Sequence, residues 1–163
     1  MPSFESRIDR FCQAHPEAPR EDILATRLLF RTTQLLRAHI DRALAPFDLN
    51  MSQYLVLSLL STDRSDPSSP SELSQTLDAT RTQMTRFLDS LQSRGLVRRI
   101  ASEQDRRSLE LELTPAGREL LRKAVPAVHR AYRQAWSVLG GGERDQTSRH
   151  LQRLYAKLQQ LEQ

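Results

Sequence analysis

Residues 69 to 95 read SPSELSQTLDATRTQMTRFLDSLQSRG, and the order of small polar residues, proline and leucines in this stretch decides the fold. Ser69-Pro70-Ser71-Glu72 has the form of a capping box with proline at the first helical position. Leu73 and Leu77 then supply an i, i+4 apolar pair, which suits a short helix. Thr80-Arg81-Thr82-Gln83 repeats the box and opens a second helix, whose Met84, Phe87, Leu88 and Leu91 recur at i, i+3, i+4 and i+7. Gly95 stands where a helix stop needs a left-handed residue. Two helices joined by a tight turn, the second one amphipathic, make a helix-turn-helix.

Beyond Gly95, Leu96 to Ile100 is a short β-type run and Ala101 to Arg107 is polar. In Ser108 to Leu113, Leu109, Leu111 and Leu113 alternate with Glu110 and Glu112, the pattern of a half-buried strand. Two strands and a polar tip form a hairpin, so the unit reads as a winged helix-turn-helix. Thr114-Pro115 caps a further helix through Leu120, Leu121, Val125, Val128, Tyr132 and Trp136, bent by Pro126 and ended by Gly140-Gly141-Gly142.

Upstream, apolar residues recur at Leu24, Leu28, Leu35, Leu36, Ile40, Ala43 and Leu44, with Glu21 and Asp22 at the expected helix start. Residues 51 to 61 are too apolar for one exposed face and suit a short buried helix, with a strand open on propensity alone. Thr62 to Pro70 reads as a loop. At the far end Leu151, Leu154, Leu158 and Leu161 are spaced three, four and three apart. Such a seam packs either on the chain's own core or on a partner helix; its narrowness favours the partner and hence a homodimer. The expected fold is mainly α with a small β-hairpin wing. Residues 1–20 form an N-terminal arm, 21–47 and 115–163 dimerisation helices, and 48–114 the winged helix-turn-helix.

Composition narrows the function. The 163 residues carry a formal net charge of +4, and the stretch from Thr80 to Arg107 holds seven arginines against Asp89, Glu103 and Asp105, so the whole excess sits there. With the apolar positions of the second helix turned inward, Arg81, Thr82, Gln83, Thr85 and Arg86 face outward near its N-terminus. Arginine bonds a guanine edge, glutamine an adenine edge, and threonine offers a hydroxyl or a methyl. Ser71 and Thr80 flank this face, and Arg106 and Arg107 at the hairpin tip reach an adjacent groove or the phosphates. Double-stranded DNA is therefore the expected partner.

Cys12 is the one cysteine, so one chain forms neither an internal disulfide nor a cysteine-based zinc site, and the four histidines lack metal-ligand spacing. No metal or other cofactor is expected. No H-E-x-x-H, P-loop or G-x-S-x-G motif is present, so no catalytic residue is assigned and an enzyme is not expected. No apolar run approaches a membrane span, and Glu5 and Asp9 fall where a signal peptide would be apolar, so a cytoplasmic location without membrane attachment is expected.

Asp105-Arg106-Arg107 and Leu113-Thr114-Pro115-Ala116-Gly117, in this order of elements, resemble the MarR family of regulators. Ile23 to Leu28 (ILATRL), Pro70 to Ser74 (PSELS), Thr80 to Arg86 (TRTQMTR) and Asp105 to Thr114 (DRRSLELELT) are most similar to its EmrR/MprA branch. The resemblance implies a dimer with interlocked terminal helices, two winged units on a pseudo-palindromic operator, and repression relieved by a small aromatic or phenolic acid. It implies that Asp105 braces the wing and Arg107 tips it, and that target genes encode efflux pumps or enzymes of aromatic-compound catabolism. It also directs attention to Arg31, Gln34, His39, Met51, Tyr54 and His129 as effector-binding residues, a cation or donor for the carboxylate and an apolar wall for the ring. Two alternatives stand beside this reading. One is a thiol-based peroxide sensor using Cys12, an otherwise unreactive residue in a loosely held arm; the other is a helical interaction protein that does not touch DNA.

Overall fold

A computed structural model describes residues 4–62, 69–77, 79–101 and 109–162. The helices are α1 (Phe4–Ala14), α2 (Arg20–Leu44), α3 (Met51–Thr62), α4 (Pro70–Thr76), α5 (Arg81–Ser93), α6 (Pro115–Trp136) and α7 (Gly141–Leu161), and the strands are β1 (Val97–Ala101) and β2 (Leu109–Leu113). The strands pair antiparallel, with Val97 opposite Leu113 and Ala101 opposite Leu109.

The starts of α3 and α4 follow from their local chemistry. The Ser69 hydroxyl accepts from the Glu72 amide while the Glu72 carboxylate accepts from the Ser69 amide, at 3.2 and 2.7 Å. Asn50 and Gln53 make the same reciprocal pair ahead of α3, which settles residues 51 to 62 as helix. Gly95 has φ +67° and ends α5 in the left-handed region. Asp48 also lies there, at φ 52°, after a single 3-10 turn over Ala45–Phe47, and Arg94 donates to the carbonyls of Asp48 and Phe47, tying the end of α5 to this loop.

One core joins α2, α3, α4, α5, the hairpin and α6 around Leu44, Val56, Leu57, Leu73, Met84, Leu88, Leu91, Leu113 and Val128. Met84, Leu88 and Leu91 seat α5 in it. Burying a leucine or methionine in such a position contributes about 1.5–3 kcal/mol, so the orientation of α5 is fixed by the same residues that stabilise the domain.

Three expectations change. The N-terminal arm is not loosely held: residues 4–14 are helical, Ile8 is buried, and Arg20 donates to the Asp9 carboxylate at 2.6 and 2.9 Å. The glycine triplet opens a helix rather than ending one, because α6 stops at Trp136 while Gly141 and Gly142 begin α7; the Gly140 amide donates to the Glu143 carboxylate, as in the other capped starts. In β2, Glu110 is buried along with Leu111 and Leu113, which departs from simple alternation, and nothing described around it explains why. The expected loop over 62–70 lies mostly outside the described residues.

Candidate nucleic-acid interface

The order of residues along α5 separates a buried face from an exposed one. Met84, Leu88 and Leu91 are buried, whereas Arg81, Thr82, Gln83, Thr85, Arg86 and Asp89 are exposed, and Ser71 and Thr80 are exposed beside them. The backbone amides of Arg81 and Thr82, in the first turn, take no protein partner among the described residues, so two donors at the positive end of the helix remain for a phosphate.

Gln83 is committed differently from the sequence expectation. Its side-chain carbonyl accepts from the Thr80 amide at 3.0 Å and from the Thr80 hydroxyl at 3.1 Å, while the Thr80 hydroxyl accepts from the Gln83 amide. A bidentate adenine contact needs that carbonyl, so in this geometry Gln83 caps the helix and only its amide NH2 faces outward. Thr85 likewise donates its hydroxyl to the Arg81 carbonyl at 2.9 Å, which turns its methyl outward. Arg81 and Arg86 enter no ion pair among the described residues and are free to meet phosphate or guanine.

The hairpin is held against α5 by charge and by close packing. Asp89 accepts from Arg99 at 2.8 Å, joining α5 to β1, and Arg98 donates to Glu112 across the strands at 2.7 Å. Arg94, Arg98 and Arg99 are therefore structural cations, so part of the arginine excess seen in the sequence serves the fold. The Thr114 hydroxyl donates to the Gly95 carbonyl at 2.7 Å and accepts from the Gly117 amide at 3.0 Å, fastening α6 to the turn before β1. Gln53 donates to Ser90 at 3.0 Å, a polar tie between α3 and α5 for which the sequence carries no periodic signal. Asp105, Arg106 and Arg107 lie outside the described residues.

The six residues expected to hold an effector fall into three settings. Tyr54 is in the core and Met51 is half-buried, with the Tyr132 hydroxyl 3.9 Å from its sulfur; Tyr132, read from sequence only as an apolar position, supplies the polar group there. Burial raises the Tyr132 hydroxyl pKa above its ordinary value, with the neighbouring Tyr54 adding to the shift. His39 lines a cleft of about 330 Å³ between α2 and α6, with Arg42 and Arg130, and its Nε2 is buried without a hydrogen-bond partner among the described residues. Arg31, Gln34 and His129 are exposed. No group of three or more His, Cys, Asp or Glu side chains suits a metal ion among the described residues, and no described helix is long and apolar enough to cross a membrane.

A capped helix pair, a hairpin fastened beside it, and free cations on the exposed N-terminal face of the second helix define a winged helix-turn-helix protein of the class that binds DNA and regulates transcription. A model of the MarR family matches residues 49–109. The transcriptional repressor MprA of Escherichia coli is 36% identical over 149 residues, covering 91% of this chain and 85% of that protein. Among solved structures, AbsC, a MarR family transcriptional regulator from Streptomyces coelicolor, aligns with a TM-score of 0.77 at 26% identity over 83% of this chain and 93% of that one. A MepR–DNA complex from S. aureus aligns with a TM-score of 0.75 at 20% identity, over 81% and 96%, a likeness of fold. The chain belongs to the MarR family.

Proposed function

We propose that this protein is a cytoplasmic, homodimeric repressor that leaves a pseudo-palindromic operator when a small aromatic or phenolic acid binds, and that it controls genes of efflux or of aromatic-compound catabolism. The observation that carries the reading is the exposed face of α5, with Arg81 and Arg86 in no ion pair among the described residues and Met84, Leu88 and Leu91 of the same helix locked in the core. Operator contacts come from Ser71, Thr80, Arg81, Thr82, Gln83, Thr85 and Arg86, with Arg106 and Arg107 from the wing and Asp105 bracing it. The name of the MprA relative, a transcriptional repressor, supports repression as the direction.

Dimerisation is supported by the terminal helices. Among the described residues of α7 none is buried, and Leu151, Leu154, Tyr155, Leu158 and Leu161 are exposed on it. Leu28, Phe30 and Leu35 are exposed on α2. An apolar surface of this extent on two long helices seeks a partner surface, and a second copy supplies one of matching character. For the effector, the separate settings of Arg31, Gln34, His39, Met51, Tyr54 and His129 leave the second copy to bring further walls to a shared site.

The test is binding of the purified protein to DNA upstream of its own gene, titrated with salt and repeated with salicylate or a hydroxylated nicotinate. Affinity on the order of 10 nM that weakens steeply with salt is expected for a specific operator, and addition of the acid weakens it further. Binding indifferent to these acids removes the effector reading, and binding no tighter than to unrelated duplex removes the operator reading.

A further inference from the structure

Gln53, in the first turn of α3, is a polar side chain that the fold buries, and both ends of its carboxamide are committed. The carbonyl accepts from the Asn50 amide at 3.1 Å, and the NH2 donates to the Ser90 hydroxyl of α5 at 3.0 Å. The start of α3 is in turn held from α2: the Asp41 carboxylate accepts from the Met51 amide at 2.7 Å, and Arg37 donates to the Ser52 hydroxyl at 2.6 Å. Gln53 therefore reaches α5 from a fixed base. Among the described residues the side chains of α5 make two hydrogen bonds to other elements, Asp89 with Arg99 of β1 and Ser90 with Gln53 of α3.

Met84, Leu88 and Leu91 choose which face of α5 turns inward, but apolar contacts are non-directional and set the rotation of a helix less sharply than a hydrogen bond does. Rotation matters because a turn of about 20° carries a side-chain end ~2 Å at the outer radius of a helix, more than a hydrogen-bonded base contact tolerates. Arg86 stands one turn before Ser90 on the same side of α5, so the bond at Ser90 sets the angle at which Arg86 leaves the helix. We propose that Gln53 is a positioning residue of the DNA interface: through Ser90 it fixes the rotation of α5, and with it the register of Arg86 on the base edges. This role rests on the reading of α5 as the helix that meets DNA. Contacts to phosphate carry no sequence information, whereas base contacts do, so loss of the tie costs discrimination between sequences and leaves attachment to duplex in place.

Ser90→Ala removes the tie and keeps the cap of α3. Gln53 and Ser90 border a cleft of about 420 Å³, so water replaces the lost hydroxyl and folding is little affected. Gln53→Met removes the tie from the other side with a chain of similar length. For each variant, gel shifts across a range of salt concentrations give the affinity for the duplex upstream of its own gene and for a scrambled duplex of equal length and composition. Each substitution should lower the ratio of the two affinities about tenfold, the scale of one base contact, with scrambled-duplex affinity and salt slope unchanged. The double variant should fall no further than either single one, and Ser90→Thr, which keeps a hydroxyl in place, should keep the wild-type ratio. A change that only destabilised the fold would remove active protein and weaken both duplexes alike. An unchanged ratio in Ser90→Ala, a parallel loss on both duplexes, or additive losses in the double variant overturns the proposal. Wild-type protein that does not distinguish the two duplexes overturns the reading of α5 itself, and this role with it.

Discussion

A Cβ on Gly117 would lie 2.1 Å from the carbonyl oxygen of Leu96 and 2.7 Å from a methyl of Leu113. The first turn of α6 thus rests directly on the backbone where β1 begins, and Leu96 cannot yield, because its carbonyl also accepts from the Thr114 amide at 3.1 Å. Gly117→Ala should cost about 1–3 kcal/mol, the range for overpacking a fitted contact. A lowered urea midpoint and weaker operator binding are the expected outcome; an unchanged midpoint would show that α6 shifts freely on the hairpin.

Thr80 and Gln83 share the cap of α5, and the two roles of Gln83 separate by substitution. Gln83→Glu keeps an acceptor for the Thr80 amide but puts a negative charge on the DNA face. Stability should change little while operator affinity falls at least about tenfold. Thr80→Ala should instead cost about 1 kcal/mol of stability. Gel-shift titrations and thermal denaturation read the two effects apart, and equal operator affinity of Gln83→Glu would remove α5 from the groove.

Arg86 and the wing arginines should differ in kind. Arg86→Ala is expected to lose discrimination between operator and scrambled duplex, costing about 1–3 kcal/mol on the cognate site. Arg106→Ala and Arg107→Ala should weaken all duplexes alike and flatten the salt dependence by about one unit each. If all three leave affinity and slope untouched, the DNA face is elsewhere.

Leu158 on α7 tests the dimer without disturbing the core, since it is 49% exposed in the single chain. Leu158→Asp should retain the helical circular dichroism spectrum, sediment as a monomer at micromolar concentration and lose most operator affinity, because a half-site alone offers half the contacts. A variant that remains dimeric would move the interface off the leucine seam.

The Asp89–Arg99 pair is exposed enough to be worth no more than about 1 kcal/mol to stability. Asp89→Asn should therefore leave the urea midpoint nearly unchanged while freeing Arg99 for phosphate. Tighter binding to unrelated duplex and a steeper salt slope are the expected readout.

Much of this was legible in the chain because the signals are local. Ser69 with Glu72 and Thr80 with Gln83 specify helix starts through bonds three residues apart, the spacing of Met84, Leu88 and Leu91 specifies which face of α5 turns inward while Phe87, expected with them, stays half-buried at its edge, and Gly95 marks a left-handed stop. These features gave both the helix-turn-helix and its exposed cationic face. Capping also accounts for the misplaced glycine triplet: Glu143 at the third position of α7 accepts from the Gly140 amide and turns a run that reads as a breaker into a helix start.

What only the tertiary structure decided depends on contacts between residues distant in sequence. Composition counts seven arginines between Thr80 and Arg107, but not that Arg94 turns to the carbonyls of Asp48 and Phe47 or that Arg99 turns to Asp89. Only packing shows that Gly117 is required by Leu96, and that α1 folds onto α2 through Ile8 and the Asp9–Arg20 pair, because these distances depend on how whole elements meet. The sequence by itself determined the elements, their caps and the inward faces, since short-range hydrogen bonds and periodicity are written in neighbouring residues. Which charges remain free for a ligand was left to the fold, since a side chain's partner is chosen by proximity in space.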